Sequence, residues 1–161
     1  MTTQRHILVV EGCSALRRLV CEVLTMGRLT KFTQVGTHKE ALSVLRAYKV
    51  DLLIIAHQID GISCLDPIGL IRAGEAGCKK KLPIIVLGCP TANEDRADPW
   101  DLHAGATTFV ALPFHMRTLL PPVFDALRGA PEKSERKVTL AGLARLLMVK
   151  TGRILAPVEL G

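Results

Sequence analysis

The sequence predicts an α/β fold: a doubly wound, five-stranded parallel sheet flanked by five helices, with a helical extension at the C-terminus. Two observations carry this. Short aliphatic runs alternate along the chain with longer stretches whose apolar residues recur at helical spacing. One of those runs, Leu52-Leu53-Ile54-Ile55 within 51–56, has no polar interruption, as expected of a strand buried on both faces in the middle of a parallel sheet. In such sheets ligands and reactive groups gather beyond the carboxyl ends of the strands, which draws attention to Ala56 and His57.

Taken in order, Ile7 to Val10 form the first strand, and Glu11-Gly12-Cys13-Ser14 turns into a helix capped by Ser14. Leu16, Leu19, Val20, Val23 and Leu24 share one face of that helix, which Met26-Gly27 closes. Phe32 to Val35 is the second strand. Thr37-His38-Lys39-Glu40 has capping-box spacing, and the helix it opens carries Ala41, Val44, Leu45 and Tyr48 on one stripe. After the central strand, Asp60-Gly61 marks a tight turn, and Asp66 caps a helix with Pro67 at its first position and Ile68 and Ile71 facing inward. Gly74 to Lys81 reads as a solvated loop ending in three lysines.

Pro83 to Leu87 is the fourth strand, ending at Gly88-Cys89-Pro90. A helix is expected between Thr91 and His103, shortened or kinked by Pro99, because an interior proline costs about 3 kcal/mol. Thr107 to Ala111 is the fifth strand, closed by Leu112-Pro113-Phe114. Thr118 is expected to cap the last helix, so that Pro121 and Pro122 fall in its first turn, where no intrahelical bond is lost.

The 161 residues suit one domain, 1–128, and a modest extension, 129–161. With 48% hydrophobic and 22% charged residues, global disorder is excluded. The net charge of +6 is dispersed along the chain, and aromatic residues make up 4%, which disfavours nucleic acid as a partner. Five cysteines with no CxxC pair indicate neither a disulfide framework nor a zinc site. With no signal-peptide core and no apolar run of membrane-spanning length, the expected location is cytoplasmic. In the extension, Leu140, Leu143, Ala144 and Leu147 make an amphipathic stripe after a charged linker. Its own domain, a second copy in a homodimer, or another protein could cover it.

Several strings, taken together, resemble the receiver domain of bacterial response regulators, the chemotaxis-regulator-like, flavodoxin-like fold. They are Ile7-Leu8-Val9-Val10, Asp51 to Ile55, Ile71-Arg72, Pro83 to Leu87, Gly105-Ala106 and Phe109 to Phe114, and the likeness runs over residues 5 to 128. The resemblance implies two adjacent acids after the first strand, a phosphorylated aspartate ending the third, a hydroxyl residue ending the fourth, and a lysine before the proline after the fifth. Those positions hold Glu11-Gly12, Ala56, Gly88 and Leu112. Alanine has no oxygen to take a phosphoryl group. Glu11 alone is a poor holder for magnesium, which wants near-octahedral oxygen coordination. Gly88 has no hydroxyl to donate, and Leu112 has no cation to neutralise a phosphate.

Single residues offer rival chemistries. Asp60 or Asp51 could replace the phosphoacceptor, although Asp-Gly is ordinary turn chemistry and Asp51 starts its strand. His57 could take a phosphoryl group or a metal, and Cys13 with Cys89 could form a redox pair, but ordinary structural roles are the more economical reading. Gly12-Cys13-Ser14 is a faint nucleophile elbow with no ordered acid and base. Trp100, Phe109 and Phe114 fall on or near the face that receivers use for partners, as the resemblance implies.

The expectation is therefore a pseudo-receiver that is not an enzyme, needs no cofactor or metal, and works by binding a protein partner in bacterial two-component-type signalling. Two alternatives stand beside it. One is a sensor of an anionic nucleotide such as a cyclic dinucleotide, held by Arg136, Lys137, Arg145 and Arg153 of the tail. The other is a response regulator phosphorylated at a non-standard residue.

Overall fold

The computed structural model describes residues 4–89 and 105–129. In chain order these form β1 (Ile7–Val10), α1 (Ser14–Met26), β2 (Phe32–Val35), α2 (His38–Ala47), β3 (Leu52–Ala56), β4 (Gln58–Ile59), β5 (Ile62–Ser63), α3 (Leu65–Ala73), β6 (Ile84–Gly88), β7 (Thr108–Ala111) and α4 (Met116–Arg128). Five strands make one parallel sheet in the order β2-β1-β3-β6-β7. The register places Val10 beside Ile55, Ala56 beside Leu87, and Gly88 beside Ala111, so the carboxyl ends of four strands meet along one edge.

The period-two alternation of side chains divides the core in two. Leu8, Val10, Leu53, Ile55, Ile84 and Val86 face α2 and α3, packing with Ala41, Leu45, Ile68 and Ile71. Ile7, Val9, Leu52, Ile54, Ile85 and Leu87 face the other way, against Val20 and Leu24 of α1 and Leu119 and Val123 of α4. Both faces of the sheet are thus dry, which is why β3 and β6 are continuously apolar in sequence.

The expected five-stranded parallel sheet is present, while several element starts differ. The first residue of α1 is Ser14; its cap is Cys13, which makes no side-chain cap bond. The Glu11 carboxylate accepts the Cys13 amide at 2.9 Å and so does part of the capping from outside the helix. Leu19 of the expected α1 face is 44% exposed, and Tyr48 of the expected α2 stripe is 62% exposed. The Thr37–Glu40 capping box is present in both directions. Helix α3 starts two residues early, after Cys64, and Pro67 is its third residue, still within the turn that has no amide acceptor to lose.

The start of α4 is a larger correction. His115 is its cap and Thr118 its third residue, so Pro121 and Pro122 lie in the second turn. Their missing amides deprive the carbonyls of Arg117 and Thr118 of an intrahelical donor. Pro121 is exposed and Pro122 half-buried, so this side of α4 is open to water. The expected Asp60-Gly61 turn proves to be the tip of a hairpin, β4–β5, with positive φ at both residues (52° and 78°), the type I′ geometry. The helix expected between Thr91 and His103 lies outside the described residues.

Candidate functional site

The residues singled out at strand ends converge. Glu11 follows β1, Ala56 ends β3, Gly88 ends β6 and Leu112 follows β7, all at the carboxyl edge of the sheet. Backbone bonds lock this edge: the His57 amide donates to the Leu87 carbonyl at 2.7 Å, and the Leu112 amide to the Gly88 carbonyl at 2.9 Å. The Glu11 amide donates to the Val35 carbonyl at 3.1 Å.

What fills the site is apolar. Ala56 is 3% exposed and belongs to the same core cluster as Val10, Ile59, Cys64 and Val86, with Phe109 packed against it. A Cβ added to Gly12 would meet Ile59 Cγ2 at 3.0 Å, so the hairpin lays an isoleucine across the turn after β1. A Cβ added to Gly88 would stand 2.8 Å from His57 Cβ and 3.2 Å from the Phe109 ring. Both glycines are therefore places where a neighbour occupies the room a side chain would need. Leu112 is half-buried and packs against the opposite core cluster.

Directly after β1 one carboxylate remains, that of Glu11. Glu11 is 6% exposed, with one carboxylate oxygen engaged by the Cys13 amide. The guanidinium of Arg17, one turn into α1, donates to the Glu11 carbonyl. A magnesium ion would need several oxygen ligands, and the residues present do not fit it: a single engaged carboxylate, a methyl at 56 and an isoleucine over Gly12. Among the described residues, no group of three His, Cys, Asp or Glu side chains is placed to hold a metal.

The rival acids separate. The Asp51 carboxylate accepts the His6 amide at 2.9 Å and lies 3.7 Å from Arg5, at the amino edge of the sheet and so on the wrong side for this site. Asp60 is exposed at the hairpin tip. Cys13 and Cys89 are exposed thiols, whereas burial pushes the Cys21 and Cys64 thiols up to about 11. Phe114, expected on or near a partner surface, is 8% exposed and belongs to the core cluster that joins the sheet to α1 and α4. Phe109 is half-buried beside Gly88. Trp100, Leu140, Leu143, Leu147, Arg136, Lys137, Arg145 and Arg153 lie outside the described residues.

Two members of the site are absent from the sequence reading. Ile59 belongs to a two-residue strand, too short to show a period, and its only local signal is the Asp-Gly turn that follows. Arg17 reads in sequence as a solvated residue of the polar face of α1. Among the described residues no helix is long and apolar enough to cross a membrane.

No protein-family model matches the chain. Among relatives, it is 30% identical over 134 residues to the regulatory protein VirG of Agrobacterium fabrum, covering 83% of this chain and 50% of that one. The chain spans about half the length of the curated relatives it matches. Among solved structures, the response regulator protein TrrA of Thermotoga maritima, in complex with magnesium and beryllofluoride, is 28% identical with a TM-score of 0.64, over 76% of this chain and 99% of that one. The chemotaxis response regulator CheY4 of Vibrio cholerae superposes with a TM-score of 0.64 at 22% identity, over 78% and 100%. With the 2-1-3-4-5 order of the parallel strands and the helices on both faces, these likenesses show the fold that the chain carries, that of a response-regulator receiver domain.

Proposed function

We propose that this chain is a phosphorylation-independent pseudo-receiver, acting in the bacterial cytoplasm as a binding module for a protein partner in two-component-type signalling. The observation that carries the reading is the apolar packing at the carboxyl edge of the sheet. Ala56 stands where the family resemblance places the phosphorylated aspartate, and Ile59, the His57 Cβ and the Phe109 ring take up the space that an acid at 12 or a hydroxyl residue at 88 would need. A phosphoryl group there would find no carboxylate to bond, no lysine at 112 and one engaged acid at 11. Its charge would be set against hydrocarbon, and an unpaired charge in such surroundings costs far more than this fold can offset.

The test is a titration of the isotopically labelled protein with magnesium and beryllofluoride, the pair present in the TrrA structure. The reading predicts that the amide resonances of residues 11–13, 56–58 and 88 do not move. Saturable shifts confined to those amides would contradict it. Asp60 is the acid that the same titration would reveal as a substitute acceptor, through shifts centred on the hairpin tip.

A further inference from the structure

The net positive charge, dispersed in sequence, is gathered by the topology onto one edge of the domain. Of the 14 Lys and Arg residues described, 10 lie at the amino ends of the parallel strands or the carboxyl ends of the helices, opposite the site above. Only 3 of the 8 acids described lie there, namely Asp51, Glu75 and Asp125. Asp51 is engaged by the His6 amide and Arg5, and Asp125 by Arg128. Cations in the last turns of helices have an ordinary explanation: each helix carboxyl end presents about half a negative charge, so four helices account for about two. Arg5, Lys31, Lys49 and the run Lys79 to Lys81 belong to no helix, so the macrodipoles do not explain them.

Part of this edge is concave. A cleft of ≈ 470 Å³ runs between the end of α2 and the loop after α3, lined by Arg46, Tyr48, Lys49 and Lys79. Its walls are closely joined: Gly77 has φ of 75°, and a Cβ there would come within 2.9 Å of Arg46 Cγ, so the loop backbone rests on the arginine stem. Tyr48 is 62% exposed, yet its ring is held edge-on by His6, with centroids 6.3 Å apart. The cleft thus offers three cations beside an exposed aromatic ring. Phosphate oxygens satisfy the first feature, and a purine or pyrimidine ring stacks on the second. The volume falls within the usual range for small-molecule sites, about 300 to 1,000 Å³.

From this juxtaposition we infer that the cleft binds a nucleoside phosphate, its phosphates held by Arg46, Lys49 and Lys79 and its base stacked on Tyr48. The site lies on the opposite edge from Ala56, so the inference holds whether or not that position is ever phosphorylated. It also supplies the domain with an input other than phosphoryl transfer.

Calorimetric titration of the full chain with ATP, GTP and inorganic pyrophosphate tests it. Pyrophosphate should bind, and at least one triphosphate should bind several-fold more tightly. Lys49→Glu with Lys79→Glu should weaken both by at least tenfold while circular dichroism stays native, and Tyr48→Ala should remove the gap between the triphosphate and pyrophosphate. Absence of heat with all three ligands overturns the inference. So does binding that survives the double charge reversal in the folded protein, or a polyglutamate peptide that outcompetes both triphosphates, which would mark the edge as a surface for an acidic protein.

Discussion

Ile59 Cγ2 lies 3.0 Å from the point where Gly12 would carry a Cβ, so the residue beyond β1 and the hairpin beyond β3 share one volume. An acid placed at 12 must move the isoleucine. Gly12→Asp is expected to lower stability by about 1–3 kcal/mol, the usual cost of overpacking, and Ile59→Ala in the same chain should recover part of that loss. Urea unfolding of the two single variants and the double variant measures it. Strictly additive losses would show that Ile59 does not fill this space.

Gly88 is the more demanding position, since the nearest atom to an added Cβ is His57 Cβ at 2.8 Å, which is bonded to the backbone and cannot swing aside. Gly88→Thr should cost about 2–3 kcal/mol or more. Removing the flexible neighbour with Phe109→Ala should not rescue it, because the His57 contact persists. Thermal unfolding with unchanged midpoints for Gly88→Thr would contradict this packing.

The capping box of α2 predicts a pH dependence. The Gly36 amide, the Thr37 hydroxyl and the Thr37 amide hold the Glu40 carboxyl below its usual range. A carboxyl whose folded pKa lies below its unfolded value binds fewer protons in the folded state. Its stabilisation is present above the unfolded pKa, near 4.5, and is lost as pH falls through the folded value. The stability gap between the native chain and Glu40→Gln should therefore be widest near neutrality and close on acidification. Thr37→Ala should cost about 1 kcal/mol through the lost cap. Denaturant midpoints from pH 3 to 7 check both.

How much of this was legible beforehand differs between the fold and the site. The sheet was readable because β3 and β6 are buried on both faces, leaving aliphatic runs with no alternation, and the Thr37–Glu40 box was readable because its partners are three residues apart. Ala56, Gly88 and Leu112 could be flagged through family resemblance. What crowds Gly12 and Gly88 could not, since Ile59, His57 and Phe109 reach them across strand ends that are distant in sequence. The start of α4 was misplaced because the prolines suggested a later cap, whereas His115 and Thr118 form the box and the open side of the helix tolerates the interruption. The charge was misjudged as dispersed because sequence order hides which strand ends share an edge.

Thiol reactivity should follow burial. The exposed Cys13 and Cys89 should exchange with an aromatic disulfide reagent at pH 8 within minutes. Cys21 and Cys64, whose burial pushes their thiols up to about 11, should wait for unfolding. Peptide mapping after a timed pulse, with and without urea, separates the two classes; fast labelling of Cys64 in the native protein would place α3 and the hairpin more loosely than described.

Ala56 and the apolar edge around it are probed by the intact mass of the chain after incubation with acetyl phosphate and magnesium. A single species of unchanged mass is expected at every time point. A stoichiometric phosphoryl adduct, labile to hydroxylamine as an acyl phosphate is, would contradict it.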